Sequence, residues 1–284
     1  MYSAGTGSLN VASAVPSVTL EAGSYWNLAE GAAVRNPQVN SLAGAGTVLS
    51  VGTATAGTAY TLTIRGNSGT VSNFSGSVIN SDTNTFATSS AGIVGVTKEG
   101  STTQIFSGSN TYTGPTIING GALVVNGNIS TSSLTTVNTG GTLGGSGIVG
   151  STSVIGGTFA PGNSIDGIGI VGNLTLGADS FSNFEISALD NISDLATVSA
   201  MLNFGGTLNV SNIAGVLTLG NTFNLFDFAS KSGTFSTVNL PTLNSGLDWN
   251  QENLYTTGEI SVIPEPGAAL LGGLGLLVLL RRRR

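Results

Sequence analysis

Residues 120–127 read GGALVVNG, and this short run decides the fold. Paired glycines reach positive φ without steric cost, so Gly120-Gly121 marks a corner where the chain changes direction. Leu123-Val124-Val125 then supplies a leucine and two β-branched residues, which suit a pleated, half-buried surface, and Asn126-Gly127 ends the run in turn residues. A unit of corner, strand and turn is too small to bury its own apolar face.

The unit recurs. Gly140-Gly141-Thr142-Leu143, Gly156-Gly157-Thr158-Phe159 and Gly205-Gly206-Thr207-Leu208 repeat it, with a looser copy at Gly44-Ala45-Gly46-Thr47-Val48. The first copies start at Gly120, Gly140 and Gly156, at steps of similar length. Periods of about this length, roughly 20 residues, belong to solenoids, where each coil buries its apolar face on the next. Leu174-Thr175-Leu176 and Leu208-Asn209-Val210 show the same strand alternation. No stretch before residue 267 joins helical periodicity to caps; Ile186 to Leu202, the nearest candidate, is broken by Asn191 and Ser193 and reads as loop and strand.

Composition agrees. Of 284 residues 43 are glycine, and charged residues are 8%, against about 25% in an average domain. Hydrophobic residues are 40% and mean hydropathy is +0.30, which excludes the low-hydrophobicity, high-charge pattern of disorder. Cysteine and histidine are absent. That removes disulfides, thiolate metal sites, the usual general base near neutral pH and the commonest zinc ligand. The net charge is −6, but residues 1–263 hold 13 of the 14 acids and four of the eight bases, so this body carries −9. An acidic body argues against nucleic acid as a partner, since binding phosphates takes Lys and Arg.

The C-terminus differs in kind. Residues 263–284 read IPEPGAALLGGLGLLVLLRRRR. Pro264-Glu265-Pro266 is a stiff, extended triplet, because each proline fixes its own φ and biases the residue before it. Residues 267–280 are uncharged; as a helix they would span about 21 Å, short of a hydrocarbon core of about 30 Å. Arg281, Arg282, Arg283 and Arg284 form a basic stop that stays on the cytoplasmic side. A buried core helix does not end in four arginines. This layout resembles the PEP-CTERM sorting signal. The resemblance implies a membrane-inserted tail, removal by an exosortase-type membrane protease, and delivery to the cell surface or an extracellular polysaccharide matrix. Export also needs a leader. Met1-Tyr2-Ser3-Ala4-Gly5 has neither a basic nor an apolar leader region, so the expectation is a truncated start.

Residues 106–127, FSGSNTYTGPTIINGGALVVNG, carry a second pattern. The turn Asn110-Thr111-Tyr112-Thr113-Gly114 leads into the strand Gly120-Gly121-x-Leu123. This is similar to the autotransporter-associated β-strand repeat. The later runs FAPGNS at 159–164, Leu174-Thr175-Leu176-Gly177, Gly233-Thr234-Phe235 and Gly246-Leu247-Asp248-Trp249 resemble that family's terminal region. The resemblance implies a right-handed parallel β-helix; Gly/Ser/Thr-rich repeats also occur in β-sandwiches, which is the competing fold. A solenoid end needs a cap, and Phe223, Phe226, Phe228, Phe235, Trp249 and Tyr255 are read as that cap; a carbohydrate-binding aromatic platform is the competing reading. The expected organisation is a β-rich part at 1–95, the repeat-bearing helix at 96–217, a cap at 218–260, and the sorting signal at 261–284 with a membrane helix at 267–280.

Catalysis is weighed against this. Glycan acid/base chemistry uses two carboxyls about 5–10 Å apart; the candidates are Glu185 with Asp190 and Asp194, or Asp166 with Asp179. The bases Arg65, Lys98 and Lys231 are scattered in the sequence, so the acids read as loop residues that keep an apolar surface soluble. Asp190, Asn191 and Asp194 offer oxygen ligands for Ca²⁺ without a loop signature. No dinucleotide fingerprint, P-loop or nucleophile elbow occurs. The expectation is a non-enzymatic surface protein with no cofactor and no metal. A polysaccharide-degrading β-helix enzyme ranks behind it. So does an autotransporter passenger, which would be followed by a membrane β-barrel.

Overall fold

A computed structural model describes residues 15–29, 36–52, 57–67, 69–81 and 90–265. The described residues form an all-β fold of long parallel sheets, the arrangement of a β-solenoid. An eleven-stranded sheet runs from Val18–Leu20 to Thr237–Asn239, and a twelve-stranded sheet begins at Gln38–Val39. A short ladder of Tyr25–Asn27, Thr47–Leu49 and Ser77–Val78 forms a third side early in the chain. No described helix is long and apolar enough to cross a membrane; residues 266–284, and with them the expected helix 267–280, lie outside the described residues.

Register explains the glycine spacing. Gly121 pairs with Gly141 and Thr142 with Thr158, so the steps between the first glycine pairs are successive coils. The copy at Gly205-Gly206 lies two coils further on, through Thr158↔Phe181 and Phe181↔Thr207. The coil between begins at Asp179-Ser180-Phe181 and lacks the glycine pair. Coils elsewhere are longer: Val71 pairs with Thr103, a step twice that from Thr142 to Thr158. The corners need glycine for space as well as φ. Gly121 sits at φ +61, and a Cβ there would lie 2.4 Å from the carbonyl oxygen of Thr102.

The core is a set of in-register stacks. Leu123, Leu143 and Phe159 align in the first sheet, and Ile118, Val137, Val154 and Leu176 in the second; all are buried. Each contributes about 1.5–3 kcal/mol by leaving water, and all do so through a neighbouring coil. Edge-on ring pairs link coils as well, Phe74 with Phe106 at 6.2 Å and Phe159 with Phe184 at 6.3 Å.

The segment expected as cap, 218–260, divides in two. Phe226–Gly233 and Thr237–Asn239 still pair in parallel with Leu195–Phe204 and Thr207–Ala214, so they are coil. Thr222–Asn224, Leu247–Asn250 and Glu259–Pro264 form a separate antiparallel sheet over the end. Phe204 gathers the aromatics there, 5.2–5.8 Å from Phe226, Phe228, Phe235 and Tyr255. The strand Glu259–Pro264 runs past residue 260 into the segment read as sorting signal, and Ile93–Lys98 crosses from 95 into 96.

Candidate functional site

The repeat motif folds into a coil corner. Asn110 is 1% exposed. Its Oδ1 accepts from the Val78 amide at 2.9 Å, and its Nδ2 donates to the carbonyls of Gly108 at 3.0 Å and Asn128 at 3.2 Å. One side chain thus joins the preceding coil, its own and the next, where the short third ladder has no strand. The amides of Thr111 and Tyr112 donate to the Val78 carbonyl. Tyr112 is fully buried, with its hydroxyl 2.7 Å from that of Thr116; burial pushes its pKa up. Thr113 exchanges bonds with the Asn80 side chain. Gly114 lies against Val94, whose carbonyl oxygen an added Cβ would meet at 2.4 Å. Asn110, Thr111, Tyr112, Thr113 and Gly114 therefore form one framework turn, and beyond the strand Thr116–Ile118 Gly120 and Gly121 form the next, leading into Leu123.

Lys98, read as a scattered base, is fully buried at the coil's other turn, beside Gly100 and Gly120. Its Nζ donates to the carbonyls of Glu99 at 2.6 Å and Gly120 at 3.1 Å, with a longer contact to Gly100 at 3.4 Å. Desolvation lowers its pKa to about 8 against the opposing pull of Glu99. Nothing in the sequence marks a lysine as interior; only the register, which sets Lys98 beside Ile64 and Ile118 on the inward phase, does so.

A concavity arises where a sheet splits. The strands Thr158–Pro161 and Phe181–Ser187 pair at Thr158↔Phe181 and Phe159↔Ser182 and then part. The gap is a groove of about 560 Å³, lined by Pro161, Ser164, Asn183, Glu185, Asp194 and Asn209 among others. Ser164 sits at φ 92, a conformation L-residues rarely adopt. Outward amides run beside the groove as a ladder: Asn209 Nδ2 donates to Asn183 Oδ1 at 2.9 Å, and Asn239 Nδ2 to Asn209 Oδ1 at 2.8 Å. The lining includes no Lys or Arg.

The reading of Asp194 as a solubilising loop acid is corrected here. Asp194 is 2% exposed. Its Oδ2 accepts from the Glu185 amide at 2.7 Å and its Oδ1 from the Asp166 amide at 3.1 Å, while its own amide donates to the Glu185 carbonyl. The carboxylate replaces the missing neighbour strand and clamps the split. Burial raises its pKa to about 6; the two backbone N–H bonds oppose this, and the charges of Glu185 and Asp166 add to it. Glu185 and Asp166 stay beside Asp194, whereas Asp190 and Asp179 lie elsewhere. Asp190 turns back to the Ser187 hydroxyl at 3.0 Å, and Asp179 lies at the corner by Gly156. Among the described residues no three acids are grouped to hold a metal.

In the cap, Trp249 is half-buried beside Phe223, and its Nε1 donates to the Pro241 carbonyl at 2.8 Å. Pro264 ends the last cap strand opposite Leu247, and the Glu265 amide donates to the Gly246 carbonyl at 3.0 Å. Pro266 and Arg281 to Arg284 lie outside the described residues. A family model, the passenger-associated-transport-repeat, matches residues 96–125. This is the coil that carries Lys98, Asn110 and Gly121, and the match supports an autotransporter-associated repeat there. No curated protein matches the chain significantly.

Proposed function

We propose that this chain is a non-catalytic, surface-displayed solenoid of the passenger type. Its flanks lie against extracellular polysaccharide, and its tail, 261–284, is a sorting signal removed by an exosortase-type membrane protease. The observation that carries the reading is the unbroken parallel stacking from Val18 to Asn239 with the passenger-associated repeat built into it. Such a stack extends by adding coils, and it presents long rows of Asn, Ser and Thr to the outside. The tail's order of Pro-Glu-Pro, apolar run and arginines supports the sorting step.

The test is maturation in cells that carry the protease. Wild-type chain should yield a shortened C-terminus by mass spectrometry. Replacing Pro264, Glu265 and Pro266 with alanine should leave full-length protein in the membrane fraction, and normal maturation of that variant would refute the assignment. The groove favours one competing reading, since it brings Glu185 and Asp194 together. Turnover of acidic or neutral polysaccharides, lost in Glu185→Gln, would establish that reading instead.

A further inference from the structure

Five of the most exposed aliphatic side chains fall in two short segments: Leu189 at 73%, Val216 at 67%, Leu219 at 60%, and Ile192 and Ile213 at 48% each. These segments meet. The amides of Ala188 and Leu189 donate to the Ala214 carbonyl, and Asn191 Oδ1 accepts from Asn221 Nδ2 and the Thr222 amide. Further bonds from Ala188 to Asn212 and from Asn212 to Gly215 brace the tip. The apolar corner is thus presented by an ordered frame. Residues 186–222 contain no Lys or Arg.

The chain leaves the fold beside this corner. The Gly220 amide donates to the Val262 carbonyl, and the Val262 amide to the Asn221 carbonyl, so the outgoing strand passes immediately behind Leu219. Glu265, its last described residue, donates to the Gly246 carbonyl, and the uncharged run starts at Gly267, with Pro266 alone between them. One residue spans at most about 3.6 Å. If residues 267–280 enter a bilayer, the exit end of the fold is held against its surface.

We propose that Leu189, Val216 and Leu219 form a membrane seat, inserting into the bilayer interface while the tail anchors the chain; this rests on the sorting reading of the tail. Recognition is apolar, because the acidic corner offers nothing to anionic headgroups. The seat fixes the solenoid's orientation on the membrane and presents Pro264 and Glu265 at interface depth.

The chain has no cysteine, so single labels are clean. Full-length Leu219→Cys, Val216→Cys, Leu274→Cys and, as a control on the distant flank, Ile155→Cys carry an environment-sensitive dye and are added to phosphatidylcholine vesicles. The expected result is blue-shifted emission at 216, 219 and 274, quenched by lipids brominated high on the acyl chain, with 155 unchanged. A label at 274 that enters the bilayer while 216 and 219 stay in water overturns the seat and leaves the anchor standing. A label at 274 that stays in water overturns the anchor, and the seat with it.

Discussion

Asp194 carries a sharp pH prediction. In the unfolded chain its carboxyl titrates near its ordinary value of 3.8, and in the fold near 6. The folded state therefore binds a proton that the unfolded state has released between these values. The sign follows: the contribution is fully present below about pH 3.8 and is lost as pH rises through about 6. The separation corresponds to about 3 kcal/mol. Because coils need not unfold as one unit, a local probe suits better than a global melt. Amide hydrogen exchange at Glu185 and Asp166, the two donors to this carboxylate, reads the clamp directly. Once exchange is corrected for its intrinsic pH dependence, both amides should gain protection between pH 7 and pH 4.5, while amides in the coils before Gly121 should not. Asp194→Asn should abolish that difference. Protection that falls toward pH 4.5, or a gain that survives in Asp194→Asn, would refute burial as the dominant influence on this group.

Other outcomes follow from the same geometry. Lys98 titrates near 8 in the fold against 10.5 in the open chain, so stability near Gly121 should rise between those pH values, by up to about 3 kcal/mol; Lys98→Met should remove the rise in denaturant titrations. Asn110→Ala leaves the Val78 amide without its acceptor, while the Gly108 and Asn128 carbonyls keep backbone donors, and should cost about 1–3 kcal/mol, read by exchange at Val78. Gly140→Ala meets only an oxygen at 3.6 Å, whereas Gly121→Ala meets one at 2.4 Å; the first should cost about 1 kcal/mol and the second clearly more. Trp249→Ala should lower the melting temperature through loss of its Phe223 and Pro241 contacts; unchanged melting with weaker glycan binding would establish the platform reading instead.

The solenoid was legible because its signals are local. Gly120-Gly121 and its copies mark corners whatever lies elsewhere in the chain, and alternation marks strands. The coil starting at Asp179-Ser180-Phe181 escaped because Ser180 makes that corner by bonding back to the Gly177 carbonyl, without a glycine pair. The polar interior escaped for a different reason. Lys98, Gln104, Asn110 and Asp194 look like surface residues in a list. Their burial depends on which backbone groups lack a rung, a property of register between residues far apart in the chain, as where Gln104 bonds Leu42. The aromatic-rich end was legible in composition, while its division into a last coil and an antiparallel sheet was not, since both use the same short strands.

Corner length also sets how this architecture can change. The coil from Val71 to Thr103 is twice as long as the one from Thr142 to Thr158, yet both keep their neighbours in step. The ladders fix only the rungs, so sequence added at a corner leaves the rungs beneath it in place. Novelty can therefore accumulate on the rims, coil by coil, without renegotiating the shaft. A chain built this way can be lengthened or redecorated by duplicating one coil, and its outer face can diverge far faster than the stack that holds it up.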